Sequence, residues 1–119
     1  MPFYAPGGLK SYIQRLLREG QEFEESLPEN FPRNLVSPEE IKVVHAAISR
    51  VLRDVGHLHA YLAQIDIAHR ESHNIVSATE WIIMVKNIRP VAKYLEKLQR
   101  WVHELDEIKD ALYRKETDG

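Results

Sequence analysis

Two runs of apolar residues, each stepping by three and four for eight positions, constrain this chain more than any other feature. The first is Ile41, Val44, Ile48, Val51, Val55, Leu58, Leu62 and Ile65. The second is Trp81, Met84, Ile88, Val91, Leu95, Leu98, Val102 and Leu105, with Leu112 beyond. Only an α-helix brings such positions onto one face, and an unbroken three-four alternation makes that face a coiled-coil-like seam. The first seam fades at His69 and Ser72, and a short connection holding Asn74 follows. Two long helices so closely joined must lie antiparallel and adjacent.

Local chemistry places their starts. Ser37 can cap, Pro38 suits the first helical position, Glu40 can close a capping box, and Val36 and Ile41 flank it as a staple. Ser77, Glu80, Val76 and Trp81 repeat the pattern. The predicted helices are 38–73 and 78–115, the latter kinked near Pro90, whose ring removes one backbone hydrogen bond. A shorter amphipathic helix over 9–27 carries Leu9, Tyr12, Ile13, Leu16, Leu17, Phe23 and Leu27, with Gly20 in its middle and Pro28 stopping it. The expectation is one all-α domain over 1–119. Residues 1–8 form a loose leader, 28–36 a loop and 116–119 a tail.

Composition narrows function by exclusion. The chain has no cysteine, which removes disulfides, thiolate nucleophiles and zinc–thiolate sites. Net charge is −2, but residues 41–103 are net +4 between two segments of −3 each. The longest apolar run, Trp81–Val85, is far too short to span a bilayer. The N-terminal leader has neither signal-peptide nor lipidation character, so a cytoplasmic protein is expected. No nucleophile elbow, phosphate-binding glycine loop or dinucleotide fingerprint is present, and no cofactor is implied.

What remains is an apolar stripe wider than two helices require. Tyr94, Trp101 and Ile108 flank the seam of the third helix, and Ala47, Tyr61 and Ala68 flank that of the second. This surplus predicts a partner: a second copy completing a four-helix core as a dimer, or another protein. The first helix and the Phe31–Val36 loop folding back over the stripe is the alternative. The reading is a non-enzymatic interaction module with Tyr61, Tyr94, Trp101 and Ile108 at its interface.

Three further constellations bear on chemistry. Asp66, His69 and His73 share a helix face at spacings a divalent metal can use, with Glu80 able to approach. Lys86, Arg89, Lys93, Lys97 and Arg100 form a basic stripe that could track phosphates, though Glu96 interrupts it. A solvated helix face is the simpler reading of that stripe. The segment Arg53-Asp54-Val55-Gly56-His57-Leu58-His59 resembles the arginine–histidine motif of HEPN-type ribonucleases, small helical proteins that are often dimers. That resemblance implies action by Arg53 and His59 on a phosphodiester, the histidine in acid–base or orienting work.

Overall fold

The computed structural model describes residues 6–72 and 77–118. Three helices account for nearly all of them: α1 (Pro6–Glu25), α2 (Pro38–Ser72) and α3 (Ala78–Asp118). The hairpin of α2 and α3 is antiparallel. Asp66 near the end of α2 meets Trp81 near the start of α3, and His45 near the start of α2 meets Asp106 near the end of α3.

The seam is the core. Ile41, Ile48, Val55, Leu58 and Leu62 of α2 are buried against Met84, Val91, Leu98 and Leu105 of α3. The remaining seam residues (Val44, Val51 and Ile65 on α2; Trp81, Ile88, Leu95 and Val102 on α3) are half-buried.

The start of α2 follows its sequence signals in part. The Glu40 amide donates to Ser37 Oγ at 3.4 Å, and the Ile41 amide donates to the Ser37 carbonyl at 3.0 Å. The staple does not form: Val36 is 80% exposed, and Leu35 is the loop residue that enters the core. At α3 the Trp81 amide donates to the Ser77 carbonyl at 3.0 Å. Val76 lies outside the described residues, as do His73 and Asn74. α3 runs through Pro90 as one continuous helix. Pro90 and Lys86 are exposed, so the Lys86 carbonyl, which loses its usual donor, can be hydrated.

The first helix begins at Pro6, three residues before the apolar pattern, because proline is preorganised for an opening turn. It ends at Glu25, where the Ser26 hydroxyl donates back to the Phe23 carbonyl at 2.6 Å. It runs parallel to α3: Gly20 lies on Tyr94, Glu24 pairs with Lys97, and Phe23 meets Trp101. At 1.5 Å per residue, α1 covers about 30 Å of a molecule 63 Å long. Among the described residues no helix is long and apolar enough to cross a membrane.

Candidate functional site

The first helix buries Leu9 and Ile13 in the core and meets α3 at two further places. At Gly20, an added Cβ would lie 2.6 Å from the Tyr94 ring, so the missing side chain is what lets the phenol lie against the helix. Burial, and secondarily the Glu19 carboxylate, push the Tyr94 hydroxyl above its ordinary pKa of 10.0. One turn on, Phe23, Phe31 and Trp101 form an edge-to-face triangle. Phe31 is 5.4 Å and Phe23 6.1 Å from Trp101, and the two phenylalanines are 6.5 Å apart. Such pairs each add roughly 0.5–1.5 kcal/mol beyond area burial. Glu24–Lys97 and Arg33–Glu107 (2.7 Å) pin the rim. The hydrogen bond from Arg33 holds the Glu107 carboxyl below its ordinary pKa.

This docking is one-sided. Among the described residues, no Cα of α1 comes within 8 Å of a Cα of α2. The space between them is an apolar cleft of about 280 Å³, walled by Leu16 and Phe23 of α1, Ala47 and Val51 of α2, and Tyr94 and Leu98 of α3. Phe23 on one lip is 43% exposed; Val43, one turn from Ala47 on the other, is 68% exposed. A larger hollow of about 390 Å³ lies at the open end of the hairpin, where Lys42, Lys109, Glu39 and Asp110 ring Ile41 and Leu112. Mixed charges in the terminal turns make it an end groove, whereas the cleft interrupts the bundle itself.

The residues anticipated for an interface are brought to this flank, mostly engaged within the chain. Trp101 is buried, while Tyr94, Ile108 and Tyr61 are half-buried against the core. The part that sequence reasoning missed is the α1 side of the cleft: Gly20, Phe23 and the Phe31 contact. Its signal was a glycine on the apolar face of a helix, between Leu16 and Phe23 at helical spacing, which marks close approach of another element.

The other constellations fall elsewhere. Asp66 accepts hydrogen bonds from Trp81 Nε1 (2.8 Å) and Arg70 Nε (3.1 Å), and the indole bond leads the causes that lower its pKa. The His69 ring stacks on Trp81 at 5.0 Å, with a buried Nδ1 that has no hydrogen-bond partner among the described residues. His73 lies outside the described residues, and among those described no three metal-ligating side chains converge. Lys86, Arg89, Lys93 and Arg100 are exposed on α3, while Lys97 is half-buried and bound to Glu24. Arg53 is exposed and His59 half-buried on α2. Six residues of helix set them about 120° apart around the axis.

Comparison with protein families, curated proteins and solved structures finds no match.

Proposed function

We propose that the chain is a non-enzymatic helical assembly module whose α1–α2 cleft receives an amphipathic helix. The observation that carries this reading is the cleft itself. A bundle whose first helix lies closer to α3 than to α2 leaves an apolar channel, bordered by Phe23 and Val43, that a fourth helix would close. Apolar surface arranged in a groove between helices is the usual seat of such a ligand, read through anchors one helical turn apart. Ala47 is the place to test it, being small, exposed and on the cleft wall. Ala47→Glu is expected to change stability by no more than about 0.5 kcal/mol, as surface substitutions do. It should abolish binding of a synthetic Leu/Lys amphipathic helical peptide, followed by tryptophan fluorescence. A wild-type protein that ignores the peptide, or a variant that binds it equally well, rejects the cleft.

A second reading, association with nucleic acid, rests on Lys86, Arg89, Lys93 and Arg100. All are exposed, and the described ion pairs of this stripe reach only Lys97. Phosphate binding through them would weaken with salt, and Lys93→Glu would lower the logarithmic salt slope by about 1. An unchanged slope in that variant removes the stripe from consideration.

A further inference from the structure

Resting on the cleft reading above, we infer that its occupant is a second copy of this chain, docked cleft to cleft about a two-fold axis running along the helices. Two observations and the symmetry they imply converge on this partner.

The first is area. The chain exposes 8219 Å². A folded monomer of 13.9 kDa is expected to expose about 6,700 Å². The radius of gyration is 18.0 Å, against about 13.5 Å for a globule of this length. The excess of roughly 1,500 Å² suffices for one interface of about 800 Å² per partner.

The second is charge. From Glu19 to Glu25, α1 carries four carboxylates and no cation. From Ile41 to Asp54, α2 carries Lys42, Arg50 and Arg53 against one carboxylate, Asp54. Glu19, Glu22, Arg50 and Arg53 are all exposed, and none enters an ion pair among the described residues.

The symmetry follows from them. A two-fold axis parallel to the helices sets α1 of one copy over α2 of the other, so each acidic segment faces a basic one. A two-fold axis across the helices sets α1 on α1, opposing carboxylates at a cost. Phe23 of each copy is then carried over the Val43–Ala47 wall of the other, where its exposed ring finds apolar cover.

Light scattering and sedimentation test the assignment, with circular dichroism confirming that each variant is folded. At about 100 µM the wild type is expected at twice the monomer mass, and Ala47→Glu at the monomer mass with unchanged helicity. Glu19→Lys/Glu22→Lys and Arg50→Glu/Arg53→Glu should each weaken self-association at least about tenfold, and an equimolar mixture should regain a dimer as a heterodimer. A wild-type monomer at that concentration overturns the second copy. In that event the amphipathic-peptide titration separates the two ideas, since peptide binding preserves the cleft and its absence removes both. A wild-type dimer whose charge-swapped forms associate as well as wild type, or fail to recover on mixing, overturns the two-fold arrangement.

Discussion

Gly20 shows how one missing side chain sets a helix position. A glycine inside a helix usually costs about 1 kcal/mol against alanine. Here that cost is accompanied by a Tyr94 ring occupying the space a Cβ would need. Gly20→Ala is therefore expected to lose its customary gain in the wild type and recover about 1 kcal/mol in a Tyr94→Ala background. Urea denaturation of the four proteins measures the difference; equal effects in both backgrounds disprove the contact. Trp101 is the other anchor, and Trp101→Ala should cost roughly 3–5 kcal/mol because it empties the triangle with Phe23 and Phe31. Asp66 gives a pH signature. Its pKa is lowered in the folded chain, so its contribution is complete above the unfolded value of about 3.9. That contribution is lost as pH falls through the lower folded value. Melting temperatures should decline more steeply below about pH 4 in the wild type than in Asp66→Asn, where the titrating group is gone.

At the scale of elements, α3 carries a proline in its interior. Pro90 is exposed and the helix is continuous across it. Pro90→Ala restores a donor to the Lys86 carbonyl and should stabilise the chain, by up to about 3 kcal/mol. A loss of stability in chemical denaturation would mean that the ring packs against something that the helix geometry does not reveal. The docking of α1 depends on the loop that follows it as well as on its own stripe. Phe31 and Leu35 drop into the flank beside Trp101 and the seam, and Pro32 is buried with them. The loop therefore acts as a clamp at one end of α1, consistent with the aromatic triangle lying there.

For the molecule as a whole, elongation and the one-sided placement of α1 belong together. In a molecule 63 Å long the hairpin cannot be wrapped by a helix of about 30 Å, and that helix lies closer to α3 than to α2. The molecule therefore offers an apolar channel between the acidic Glu19–Glu25 end of α1 and the basic Lys42–Arg53 stretch of α2. Association through that channel is expected to weaken with added salt at its charged rim, while its apolar floor is insensitive. Sedimentation at low and high ionic strength reads this directly.

The hairpin was legible residue by residue. Serine caps, proline at a first helical position and eight-position seams act within one or two helical turns, so the chain's local order dictates them. The flank was legible too, since Tyr94, Trp101 and Tyr61 were placed beside the seams. What covers that flank was not legible. Whether α1 lies centrally in the groove, against α2 or against α3 depends on how Gly20 meets Tyr94 and how Phe23 and Phe31 close on Trp101. Those contacts join positions about 70 residues apart, and helical periodicity is silent about pairing between helices. The exposed Val36 makes the same point, because the expected staple gives way to Leu35 once the loop must reach Trp101. Periodic burial and capping are properties of a segment, and the sequence carries them openly. The open cleft is a property of packing between segments, decided by side-chain shape when the helices meet.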